Sequence, residues 1–360
     1  MFVALRDLRA ARGRFALISV VVVLVAVLVS FLSGLTAGLR HQNISALEML
    51  DADSVVFADT GSGPSFDESS LTDEQITAWQ RSAVEGDTAE GETVEIDPVG
   101  IARGRIGTPG VGDGGAQSTV AVIGADRAFG DQTPTRPGTV VLSDAAASAT
   151  GASAGQTVAL GDSRFTVADV RGDGWYGHSP VVWTTLADWR ELEPRGGAAT
   201  VLAVSGVTDA GAVDAATGTV TVTADDSFSA LSSHQAENTS LTLMTVMLFA
   251  ISALVIGAFF TVWTIQRTPD IATLKALGAT TSSLVRDALG QALVVLVAGV
   301  AVGLGITTLA ATLLGDGLPF VLDASTTVAP AAGLIGLGLV GAALALRFLV
   351  TTDPLAALNR

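Results

Sequence analysis

The sequence predicts an α-helical membrane protein with four transmembrane helices and one mixed α+β extracytoplasmic domain between the first and second helices. Three observations carry this reading. Phe15–Ala37, Leu241–Gln266, Ala288–Gly315 and Ser325–Leu346 each run without a charged residue, and each can cross a hydrocarbon core that takes about 20 helical residues. Charge is unevenly placed: residues 38–240 hold 10 basic and 29 acidic side chains, a balance of −19, whereas the rest of the chain has nine basic against six acidic, a balance of +3. Between the first two apolar runs the sequence changes to short β-branched segments bounded by Gly, Asp or Pro, which read as strands.

The first apolar run follows Arg6, Arg9, Arg12 and Arg14, as a secretory signal would. Its apolar part exceeds the roughly 7–15 residues of such a signal, and no small-x-small site closes it. Residues 15–37 are therefore expected to be an uncleaved first transmembrane helix. Arginine and lysine mark the cytoplasmic side, which places residues 1–14, the loop 267–287 and the tail 350–360 in the cytoplasm of a cell-membrane protein. The acidic segment 38–240 is then extracytoplasmic, residues 316–324 form a short external loop, and the remaining transmembrane helices cover 241–266, 288–315 and 325–349.

Within 38–240, Gly38–Leu50 and Phe228–Ser240 read as helical extensions of the first two membrane helices. "DESSLTDEQITAWQ" predicts a helix with Thr72 or Asp73 near its cap, and the acidic, glycine-rich stretch Glu85–Gln117 reads as loop. Strands are expected over Thr119–Ile123, Thr139–Leu142, Thr157–Leu160, Arg164–Val170, Val181–Thr184, Thr200–Ser205 and Thr219–Thr223. With no cysteine, disulfides and thiolate chemistry are excluded; a segment of this length supports a core without them.

Several activities are excluded by motif. No G-x-x-x-x-G-K-[ST] precedes the single lysine, Lys275, and His41, His178 and His234 form no H-E-x-x-H. No G-x-S-x-G presents a serine. The chain is expected not to be an enzyme and to bind no intrinsic cofactor. A formal net charge of −16 argues against nucleic acid, which selects basic surfaces.

One charged segment interrupts the apolar C-terminal half: "RTPDIATLKALGATTSSLVR", residues 267–286. From Asp270, the residues Ile271, Leu274 and Leu277 fall at helical spacing on one side, and Gly278 follows as a C-cap. Amphipathicity alone fits a connector lying on the membrane surface as well as a knob for a cytoplasmic partner.

"DIATLKALGAT" directly after a membrane helix resembles the signature loop of FtsX-like permeases, the MacB-type ABC transporter family. "RDLRAARGRFALISV" resembles that family's N-terminal amphipathic helix, "GTVVLSDAAASATGASAGQTVALGDSRFTVADVRG" its external domain, and "TTDPLAALNR" its closing D-P-x-x-A-L-R tail. The external domain is short for the family, Asp169 stands where a small residue is commoner, and Asn359 precedes the last arginine. The resemblance implies a homodimeric permease, each copy paired with a separate ABC ATPase subunit, two per complex, that binds ATP and Mg. It further implies that Asp270, Ile271, Leu274, Lys275, Leu277 and Gly278 form the coupling helix, and that ATP-driven closure moves the external domains by mechanotransmission.

Substrate class must come from other residues. If "SSHQAENTSLTLMTVMLF" is helical, His234, Glu237, Leu241, Met244 and Met247 recur at three or four along one side. That stripe combines possible iron ligands with an apolar wall, and haem iron takes His or Met axially. His41, Glu48 and Met49 repeat the chemistry on the first helix. The bland alternatives are packing methionines and a solvated i, i+3 pair. "GDGWYGHSPVVW" concentrates Trp175, Tyr176, His178 and Trp183; a glycine-rich turn with core aromatics is its plain reading, and Tyr176 and His178 are minor haem candidates. Within the family these residues resemble the haem-efflux permeases of Gram-positive bacteria, which implies haem export from the outer leaflet. A drug or peptide effluxer and a signalling permease that controls a cell-wall hydrolase are the alternatives.

Overall fold

The computed structural model describes residues 12–85, 94–108, 117–194, 197–207, 209–266, 268–269, 273, 275, 277–315 and 318–350. In chain order the elements are α1 (Arg12–Glu48), β1 (Ser54–Ala58), α2 (Asp73–Glu85), β2 (Glu95–Gly107), β3 (Ser118–Gly124) and β4 (Thr139–Leu142). They continue with α3 (Asp144–Thr150), β5 (Thr157–Leu160), β6 (Ser163–Val170), β7 (Trp175–Tyr176), β8 (Ser179–Thr184) and α4 (Leu186–Leu192). The last are β9 (Val201–Ser205), α5 (Gly211–Thr217), β10 (Thr219–Thr223), α6 (Ser232–Gln266), α7 (Thr281–Leu314) and α8 (Ala324–Val350). The chain divides into two compact units, residues 1–38 with 240–360, and residues 39–239.

Four helices of the first unit are long and apolar enough to cross a membrane, so this is a membrane protein with one mixed α/β domain between its first and second membrane helices. Ile18, Val22, Ala26 and Val29 of α1 pack with Ile256 and Phe260 of α6, Leu296 and Val300 of α7, and Leu334 of α8. Helix α6 is the least enclosed of the four. It turns Leu243, Met244, Val246, Met247, Ile251 and Leu254 outward, a surface suited to lipid tails or to another membrane helix.

The α7–α8 connection closes on α1. A side-chain carbon at Gly34 would meet the Phe320 ring at 2.3 Å, and one at Gly38 would meet the Pro319 carbonyl at 2.0 Å, so only glycine admits this loop. Val321 N–H donates to the Gly34 carbonyl at 3.1 Å, and the Phe31 and Phe320 rings lie 5.4 Å apart.

In the second unit the strands run β10-β1-β9-β2-β3-β8-β4-β6-β5, and β5 also pairs with β2. The last six strands therefore close into a small barrel. Ile106, Val120, Val122, Leu142, Leu160 and Phe165 of its strands form one buried cluster with Trp189 of α4. The barrel and the open sheet share β2: residues 95–99 pair with β9, residues 100–106 with β3, and Ile106 and Gly107 with β5. The free edge, β10, is guarded by α5. Asp214 accepts from Thr221 N–H at 3.0 Å and from the Thr219 and Thr221 hydroxyls at 2.6 and 3.0 Å.

All seven expected strands are present within two residues of their expected ends. Helix α2 begins at Asp73, with a reciprocal cap in which Gln75 N–H donates to Thr72 Oγ1 and Thr72 N–H to Gln75 Oε1. The loop reading of 85–117 is corrected over residues 95–107, while residues 86–93 and 109–116 lie outside the described residues. The corrected stretch is β2, the longest strand, and β1 and β7 were also missed. Most of the N-terminal segment 1–14 and all but the first residue of the tail 350–360 lie outside the described residues.

Candidate functional site

In the second unit, Tyr176 pairs with Ser179, which leaves Gly177 and His178 as a two-residue hairpin loop with φ of 51° and 60°. Positive φ at both central positions is what a type I′ turn requires and what matches the twist of the flanking strands. Gly177 adopts it freely, and a side chain there would fall 2.9 Å from Arg103 Nη2. Among the described residues His178 is the one non-glycine with positive φ, a placement that costs on the order of 1 kcal/mol.

The loop is pinned to α1. Gly177 N–H donates to the Asn43 carbonyl and His178 N–H to the Gln42 carbonyl, both at 2.9 Å. This delivers the imidazole to the first turns of α6, where Nε2 lies 2.7 Å from Glu237 Oε1. An ionised carboxylate only accepts, so Nε2 is the protonated nitrogen. Asn43, fully buried, donates from Nδ2 to Glu237 Oε2 at 3.0 Å and accepts from Ser233 Oγ at 2.8 Å.

A second set of contacts fixes the start of the hairpin. Asp173 receives His41 Nε2 at 3.0 Å and Trp175 Nε1 at 2.9 Å. Ser45 ties α1 to this segment, donating to the Asp173 carbonyl at 3.2 Å and accepting from Trp175 N–H at 2.9 Å. Glu48 accepts from Arg40 at 3.1 Å. Burial pushes the His234 imidazole down and the Arg40 guanidinium adds to it, while Glu237 and Glu48 pull the other way. His234 is therefore biased toward the neutral form, the one with a free lone pair for a metal.

Tyr176 is buried, edge-on to Phe66 with ring centroids 6.1 Å apart. Burial, with Asp67 adding and Arg103 opposing, drives its phenol well above the ordinary range. Met49 packs against the core of the same unit. Met244 and Met247 are 57% and 56% exposed on α6 in the first unit. The sequence paired Glu237 with His234; the structure hands its carboxylate to His178 and Asn43 instead. Asn43, Ser45, Asp173 and Ser233 were not singled out because isolated small polar residues leave no periodic trace. Among the described residues no three His, Cys, Asp or Glu side chains converge on a metal-sized position. Haem needs no such cluster, since its ring nitrogens supply four ligands and the protein only the axial ones.

In the 267–286 segment, Leu277 is 80% exposed. Its N–H donates to the Thr273 carbonyl at 3.1 Å, and Gly278 N–H donates to that of Lys275 at 3.0 Å. Gly278 has φ of 93°, the left-handed turn of a helix C-cap. Asp270, Ile271 and Leu274 lie outside the described residues.

Residues 242–354 match the family of FtsX-like permease C-terminal domains. The chain is 30% identical over 200 residues to a Staphylococcus epidermidis protein whose name assigns it provisionally to a hemin transport system as the permease HrtB; the match covers 55% of this chain and 56% of that one. The chain thus spans just over half the length of that relative. A Staphylococcus haemolyticus protein of the same name is 24% identical over 374 residues, covering 100% of this chain and 99% of its own. Among solved structures, the periplasmic region of MacB from Actinobacillus actinomycetemcomitans aligns with 52% of this chain and 94% of its own, at 14% identity and a TM-score of 0.35. The extracellular domain of the transporter YknZ from Gram-positive bacteria aligns with 47% and 89%, at 11% identity and a TM-score of 0.32.

Proposed function

We propose that this chain, an FtsX-like permease in its C-terminal domain and a relative of hemin transport permeases, is the membrane subunit of an ABC transporter that exports haem. It works as a homodimer with two copies of a separate ATPase, which bind ATP and Mg. The domain between the first two membrane helices lies outside the cell, and both termini lie in the cytoplasm. The observation that carries the haem assignment is the end-to-end alignment with a protein named for hemin transport.

The polar cluster of the second unit supports a place for the substrate. Glu237 offers an anionic oxygen ligand and His234 an imidazole biased toward neutrality; His41, Glu48, Met49, Met244 and Met247 remain the further candidates, whereas Tyr176 is buried in the core. Coupling to the ATPase runs through Asp270, Ile271, Leu274, Lys275, Leu277 and Gly278. Nucleotide-driven closure is transmitted along helices that continue beyond the apolar runs, α1 to Glu48 and α6 from Ser232. Export by such mechanotransmission needs no ionisable relay through the bilayer, and the apolar runs carry none.

The test is a haemin titration of the purified permease with its ATPase, followed by Soret absorbance, beside Glu237→Ala and His234→Ala. A saturable, shifted band that is lost in either variant supports the assignment. Equal, unsaturable uptake by all three proteins sinks it and favours a drug, peptide or signalling role.

A further inference from the structure

Glu237 is held more firmly than a helix-surface carboxylate requires. Oε1 takes the imidazole of His178 at 2.7 Å and Oε2 takes the amide of Asn43 at 3.0 Å. Both donors stand on hydrogen-bonded supports. The Asn43 amide is oriented by Ser233, whose hydroxyl donates to Oδ1 at 2.8 Å and so leaves the amide nitrogen facing Glu237. The backbone that carries the His178 imidazole is fixed by its own N–H on the Gln42 carbonyl. His178 occupies a left-handed backbone position, φ 60°, where a type I′ turn ordinarily places glycine or asparagine. A strained backbone that persists beside a specific side-chain contact points to the contact as its reason.

We propose that His178 and Asn43 are positioning residues, holding the Glu237 carboxylate in the orientation from which it ligates the iron of the transported haem. This rests on the haem reading above. An ionised carboxylate has about four lone-pair sites; two are taken by these donors and the rest are open to iron. At 36% side-chain exposure Glu237 can be reached. His178, with Nε2 already committed, acts through Glu237 rather than on the iron. Groups that ligate a metal are commonly held by such outer partners, whose removal weakens binding about 10–100-fold.

The experiment titrates haemin into the full permease with its ATPase, comparing wild type, His178→Gly, His178→Gln and Glu237→Ala, and records melting temperature alongside the Soret band. Glycine relieves the left-handed backbone and deletes the donor. His178→Gly is therefore expected to melt at or above the wild-type temperature while binding haemin about 10–100-fold more weakly, with a Soret maximum moved toward that of Glu237→Ala. Glutamine keeps an N–H donor at similar reach, so His178→Gln is expected to recover most of the affinity and the wild-type band.

Wild-type affinity and spectrum in His178→Gly overturn the assignment while leaving the haem reading intact. So does a loss of binding in both His178 variants that merely follows their loss of melting temperature. A wild-type protein that does not saturate overturns the haem reading and this assignment together.

Discussion

The ring of Phe320 lies against the backbone of Gly34, in the space a side chain on α1 would fill. The contact ties the α7–α8 loop to α1, and the Val321 N–H bond to the Gly34 carbonyl adds direction to it. Phe320→Ala is expected to destabilise the protein by about 1–3 kcal/mol, less than a fully buried phenylalanine loses, because the ring is only partly enclosed. Gly34→Ala should harm the wild type but be partly tolerated in the Phe320→Ala background, where the methyl enters vacated space. Thermal melts of the four proteins check this, and simple additivity would refute the packing account.

Asp214 holds the outer edge of β10 closed by accepting three hydrogen bonds from Thr219 and Thr221. Asp214→Ala should cost about 1–3 kcal/mol through unpaired polar groups. It should also lower the onset temperature of aggregation, since an unguarded strand edge recruits other strands. Light scattering during a melt separates the two effects; an unchanged onset would show that the edge is protected by something else.

Tyr176 is the only tyrosine, so its phenolate absorbance reports one site. Its folded pKa is raised, chiefly by burial. The stability it contributes is therefore fully present below the unfolded value of about 10 and is lost as pH climbs beyond that. Phenolate absorbance is expected to appear together with loss of tertiary circular dichroism, and Tyr176→Phe should move alkaline unfolding to higher pH. A phenolate that forms in still-folded protein would contradict the burial.

Leu277 presents an exposed side chain beside the Gly278 turn. Leu277→Asp is expected to change stability by no more than about 0.5 kcal/mol, as exposed substitutions do, while abolishing co-purification of the proposed ATPase partner. Charge reversal at Asp270 combined with Leu274→Asp should likewise abolish that co-purification. Undisturbed co-purification in both would remove this segment from the coupling role.

Much of this architecture was legible because its signals are long or periodic. Four charge-free runs foretold the membrane helices, and short β-branched segments foretold seven strands. Strand β2 was not, because its residues look like a loop: Pro98, Gly100, Gly104 and Gly107 stand among Arg103 and Arg105. Two of the glycine positions explain themselves only in three dimensions, where the Trp189 ring packs directly on Gly100 and the Val122 and Leu160 side chains press on Gly104. The site was legible as residue types but not as partnerships. His178 and Glu237 are 59 positions apart, and Asn43 is 194 from Glu237; no local spacing encodes such meetings.

Strand β2 has a mechanical consequence. Its 13 residues extend to about 43 Å at strand rise, and one end belongs to the open sheet while the other closes the barrel. A conventional two-lobed domain has a tether that can flex between its lobes. Here the lobes share a girder, so no tether lies between them, and neither lobe can be excised without cutting the other's wall.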